Sequence, residues 1–138
     1  MKTSTLCLAG MLLACAHAGC SRDGPPVVEA DYPRSIVGDW QGTVGDERET
    51  ISFRADGGFT SQVRRRGFIS DTLGQGVTGS IRGTWAISGR RVTLTINGAE
   101  DARLLNSSTT STIEAFTPNE IVVRSSAGGS ATFVRLPS

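Results

Sequence analysis

The stretch Ser35-Ile36-Val37-Gly38-Asp39-Trp40-Gln41-Gly42-Thr43-Val44 decides the fold. β-Branched residues and glycines surround one large aromatic, a pattern that suits the opening strand of a small β-barrel. Trp40 is the residue expected to seal the barrel floor. Everything after this stretch reads as short strands and turns, and everything before it as an export signal and a tether.

Downstream, the alternation of apolar and polar residues predicts seven more strands. The second runs from Glu49 to Ala55, with Ile51 and Phe53 on one face. Asp56-Gly57-Gly58 is a hairpin turn into a third strand, Phe59 to Arg66. A three-residue turn there pairs Ile51 with Val63 and Glu49 with Arg65. The fourth strand, Ser80 to Ser88, has apolar residues or glycine at its odd positions. Gly89-Arg90 fits a two-residue turn into the fifth, Arg91 to Ile96, which sets Trp85 opposite Leu94 and Ile87 opposite Val92. The sixth covers about Thr110 to Phe116. Ile113 and Phe116 have opposite parity there, and a bulge reconciles them. Ile121 to Ser126 and Ser130 to Leu136 complete the set, paired so that Val123 meets Phe133 and Ile121 meets Arg135. The expected fold is all-β: an eight-stranded antiparallel up-and-down barrel closed by the first strand meeting the last. A β-sandwich of two sheets is the alternative.

The leader works outward in the other direction. Lys2 supplies a positive start, and residues 6–16 an apolar run too short to span a bilayer. Ala16-His17-Ala18 offers an ordinary small-x-small cleavage site that would release a soluble periplasmic or secreted protein. Ala18-Gly19-Cys20 instead resembles the lipobox of bacterial lipoproteins, with His17 where that family usually carries leucine. That resemblance implies a signal peptide over 1–19, lipid (palmitate-type acyl chains) on Cys20, a polar tether over 20–34 and the barrel domain over 35–138. Ser21 after the cysteine resembles the outer-membrane sorting pattern, so the expected location is the outer membrane, facing the periplasm. An ordinary cut would leave an unpaired thiol near the new N-terminus, which favours lipidation. Acyl chains contribute about 0.8 kcal/mol per buried CH₂, so several would anchor the protein stably.

Composition removes several function classes. The chain of 138 residues is enough for one domain, and its formal net charge of +1 offers no electrostatic case for nucleic acid. The 17 glycines suit a chain with many turns. His17, Cys7, Cys15 and Cys20 all lie within the leader, so the domain contains neither histidine nor cysteine. The usual general bases, thiol nucleophiles and zinc ligands are therefore missing, and no enzyme activity, cofactor or metal is expected.

Gly38-x-Trp40 on the first strand and Arg135 on the last resemble the lipocalin and wider calycin pattern. The run from Val37 to Trp40, Phe53 to Phe59, Gly83 to Thr95 and Phe133 to Arg135 also resembles lipocalin-like domains of bacterial lipoproteins. The resemblance implies that Trp40 packs at the closed end and that Arg135 lies across it.

In a meander, alternate connections share an end. The loops predicted over 67–79 and 97–108 therefore fall at one mouth, and the tether enters at the other. Candidate mouth residues are Glu49, Arg64, Arg65, Arg66, Phe68, Ile69, Leu73 and Arg103. The arginine run could take an anionic ligand or an acidic partner, or could end a strand in solvent with Arg65 paired to Glu49. Phe68, Ile69 and Leu73 could form a lid or docking loop, or could extend a strand and fold back as a plug. Glu100-Asp101 and Asp46-Glu47 read as solvated charge. Two functions follow. One is an envelope binding module that takes a small apolar or amphipathic ligand, or envelope material, at the mouth. The other is a protein-docking lipoprotein, an inhibitor or immunity factor against an envelope-targeting enzyme or toxin. A monomer is expected in both, and interior volume discriminates them.

Overall fold

Period-two alternation builds eight strands in the computed structural model, which describes residues 24–44, 47–63 and 79–138. They are β1 (Gly38–Val44), β2 (Glu47–Phe53), β3 (Gly58–Val63), β4 (Gly79–Ser88), β5 (Arg91–Ala99), β6 (Ser108–Phe116), β7 (Glu120–Ser125) and β8 (Ser130–Arg135). Each pairs antiparallel with the next, and β1 also pairs β8, setting Trp40 opposite Arg135 and Gly42 opposite Phe133. The sheet is thus a closed up-and-down barrel, compatible with a lipocalin-like fold, and not a sandwich. Closure satisfies the backbone groups that an edge strand would expose.

Inward residues follow the alternation: Ile51 and Phe53 on β2, Val92, Leu94 and Ile96 on β5, Ile121 and Val123 on β7, all buried. The β4–β5 hairpin has the expected register, Trp85 opposite Leu94 and Ile87 opposite Val92. The β6 bulge is also present. The register shifts between Ile113 and Ala115, so Glu114 is the extra residue. Ile113 and Phe116 both turn inward, 0% and 2% exposed.

Four expectations are corrected. Residues 35–37 are not strand. Glu29–Asp31 forms a 3-10 turn, and Tyr32–Ser35 forms a one-turn helix, α1, with Pro33 in its first turn, where a missing N–H costs nothing. Tyr32 and Ile36, four apart, share one face of this turn and are both buried. The second half of the expected tether therefore packs on the barrel. Val27 N–H also donates to Phe116 O at 2.8 Å.

The β2–β3 register differs by two residues. Phe53 stands opposite Phe59, Ile51 opposite Ser61, and Glu49 opposite Val63 instead of Arg65. The three-residue turn lies over 55–57 instead of 56–58, because Arg54 N–H donates to Gly58 O and Asp56 Oδ1 accepts from Gly58 N–H, each at 2.9 Å. The β7–β8 register moves in the same way, with Ile121 opposite Phe133 and Val123 opposite Ala131. Its turn too sits one residue earlier, over 126–128, with Ser125 N–H donating to Gly129 O at 2.7 Å. A shift of two keeps every side chain on its face, so the core residues stay inside although their partners change. The expected loop at 97–108 is shorter than read, because β5 continues to Ala99 and Ala102–Leu104 forms a 3-10 turn.

Candidate functional site

The closed end is built from Gly38, Trp40 and Arg135. Trp40 is fully buried, and its indole N–H donates to Ile36 O at 2.7 Å, which ties the floor of the barrel to the end of α1. The Arg135 guanidinium carbon stands 4.2 Å from the Trp40 ring centroid, a cation–π contact. The same guanidinium donates to three carbonyls: Pro118 O at 2.6 Å, Val37 O at 2.9 Å and Ser35 O at 2.5 Å. Burial lowers its pKa, and these carbonyls replace the water it loses. Gly38 is required here. Its φ is +134°, and a Cβ would stand 2.5 Å from Arg135 Nη1. Tyr32 packs on Phe116 with ring centroids 5.0 Å apart, and Phe116 meets Trp40 edge-on at 5.9 Å. One strap, one tryptophan and one arginine thus shut this end.

Above the floor the described residues fill the lumen. Ile36, Trp40, Ile51, Phe53, Leu94 and Phe133 are among the residues enclosing a cavity of about 40 Å³. Drug-sized ligands occupy pockets of about 300–1,000 Å³, whereas a water needs roughly 10–15 Å³. The space suits a water or two and not an acyl chain. Phe133 takes much of the room, its ring lying across Gly42 where a Cβ would be 2.4 Å away.

Toward the mouth the lining turns polar. Glu49, Ser61, Thr109, Ser111 and Ser125 are all buried, and each lies mouthward of an apolar inward residue on its own strand. Glu49 is 0% exposed and accepts a hydrogen bond from Ser61 Oγ at 3.0 Å. It is a buried lumen group, not a rim residue. The side chain of Leu104, from the 3-10 turn between β5 and β6, is fully buried, while Leu105 beside it is 41% exposed.

Arg103 lies at this rim, forked onto Asp101. Its Nε donates to Asp101 Oδ1 and Oδ2 at 3.0 and 3.1 Å, and its backbone N–H to Oδ1 at 3.0 Å. These bonds hold the Asp101 carboxyl at a pKa of about 2, below its usual 3.8. A carboxylate so occupied is no acid–base partner for Glu100. Of the other site expectations, Cys20, Arg64, Arg65, Arg66, Phe68, Ile69 and Leu73 lie outside the described residues. Asp46 does too. Among the described residues no cluster of three or more His, Cys, Asp or Glu could hold a metal, and no helix is long and apolar enough to cross a membrane.

Ser61 is not expected as the partner of Glu49 from the sequence, because a turn placed one residue later sets Val63 opposite Ile51 instead. Sequence reasoning also passed over Arg54, Arg82 and Asn97 on the outer wall; the signal was Asn97-Gly98, two poor strand formers inside what proves to be β5. The chain matches no protein-family model, and no curated protein matches it.

Proposed function

We propose that this barrel is a lipid-anchored protein-docking module of the bacterial cell envelope, working from the loops at its mouth as an inhibitor or immunity factor. The observation that carries this reading is the filled lumen. Among the described residues, a cavity of about 40 Å³ leaves no place for the small apolar ligand of a carrier. A closed barrel packed with its own side chains still presents loops, and loops on a rigid scaffold are where partners bind. The strap at the closed end supports the orientation. The chain leading back to Cys20 leaves from that end, so an anchor there would aim the mouth away from the membrane and into the periplasm.

Two experiments test this. Labelled palmitate should enter the wild-type protein and not the Cys20→Ser variant; equal labelling would remove the anchor. A pull-down from envelope extract should then yield one stoichiometric protein, lost when residues 64–66 or 67–78 are replaced. Recovery of a bound lipid without any protein would overturn docking in favour of ligand carriage.

A further inference from the structure

The outer wall carries a second feature, independent of whatever the mouth docks. At Arg82 the register of β4 against β5 breaks: Arg82 pairs with Gly98 and Gly83 with Ile96, so Asn97 is an inserted residue. Thr60 of β3 flanks Arg82 on the other side. Gly98 has no side chain, and Arg82 lies down upon it. A Cβ at Gly98 would stand 2.3 Å from Arg82 Nε. Beside this folded-down arginine the bulge opens a hollow of about 340 Å³, lined by Arg54, Asp56, Thr60, Arg82 and Asn97 over a floor that includes Gly58 and Gly83. That volume falls in the range of small-molecule sites.

The chemistry of the lining is specific. Among the described residues neither the Arg54 nor the Arg82 guanidinium has an ion-pair or hydrogen-bond partner. Asp56 is fixed in place by the bond that its Oδ1 accepts from Gly58 N–H at 2.9 Å. Two guanidiniums against one carboxylate leave the hollow with an excess of one positive charge. On the far side of Arg82 a second hollow of about 290 Å³ contains Glu100, whose charge disfavours an anion there. An anionic group is therefore directed toward Arg54. Guanidinium forks match carboxylates in bidentate geometry. Asp56 can accept from hydroxyls, while the Asn97 amide and the Thr60 hydroxyl can both donate and accept.

We propose that this outer hollow binds an acidic saccharide, with its carboxylate at Arg54 and Arg82 and its ring hydroxyls on Asp56, Thr60 and Asn97. The glycine floor lets a sugar ring approach the backbone.

Calorimetric titration of the purified protein with trigalacturonate, maltotriose and inorganic phosphate tests it. Trigalacturonate should bind, and Arg54→Ala or Arg82→Ala should each weaken it by about tenfold, the loss of a charge-assisted bond. Gly98→Ala, which lifts Arg82 from its seat, should weaken it as well. Neutral maltotriose should bind at least about tenfold more weakly than the acidic trimer. Amide spectra of the arginine variants, whose side chains are exposed, should match wild type and so separate lost binding from lost folding. Three results would overturn the proposal: no trigalacturonate binding, equal binding of maltotriose, or binding untouched by both arginine variants. Phosphate competing as strongly as the trimer would also overturn it, by reducing the hollow to a simple anion site.

Discussion

At the scale of the residue, Trp40 ties the barrel floor to the strap and to the last strand. It is fully buried, bonded to Ile36 O and covered by Arg135. Trp40→Ala should destabilise the protein by about 3–5 kcal/mol in urea denaturation, the usual cost of emptying a large aromatic site. A change below about 1 kcal/mol would mean that the floor does not depend on the ring. Asp101 makes a titration prediction. Its pKa is lowered, so its contribution to stability is present above 3.8 and is lost as pH falls from there toward about 2. Carboxyl chemical shifts should give a midpoint near 2, and Arg103→Met should return it toward 3.8. A midpoint unmoved by that substitution would remove Arg103 as the cause. Trp40 was legible because a tryptophan beside glycines on a first strand has few other uses. Ser61 was not legible, since a serine inside a barrel is explained only by the carboxylate it meets.

At the scale of the element, turns decide registers and bulges decide faces. The β2–β3 and β7–β8 turns each sit one residue earlier than their glycines suggested, because Arg54 N–H closes the first on Gly58 O and Ser125 N–H the second on Gly129 O. Asp56 was visible in the sequence, but whether it bonds within the turn depends on where β4 packs; Trp85 N–H also reaches Gly57 O at 2.8 Å. The β6 bulge was legible because Ile113 and Phe116 cannot otherwise both be buried. Deleting Glu114 should therefore be tolerated. Ile113 and Phe116 would then stand two apart on a regular strand and still face inward together. We expect the cooperative unfolding transition to survive, read by circular dichroism during heating. Its loss would mean that the bulge does more than bring these two side chains to one face.

At the scale of the molecule, the barrel is a closed wall around an interior packed by the described residues. If Phe133 fills the lumen, Phe133→Ala should cost about 3–5 kcal/mol and leave a cavity. An apolar fluorescent probe should bind that variant and not the wild type; binding to both alike would show the lumen to be open already. The sequence alone determined the all-β class, the number of strands, which residues face inward and the absence of histidine and cysteine from the domain. Those properties are local, set by a period of two, by turn residues and by composition. Only the tertiary structure decided that residues 27–36 strap the floor, that Glu49 is buried, that the lumen is full, and that Arg82 lies on Gly98 beside an open hollow. Each depends on residues from different strands meeting across the barrel or along its wall, and on the volume left between them. Alternation along a single strand carries no record of either.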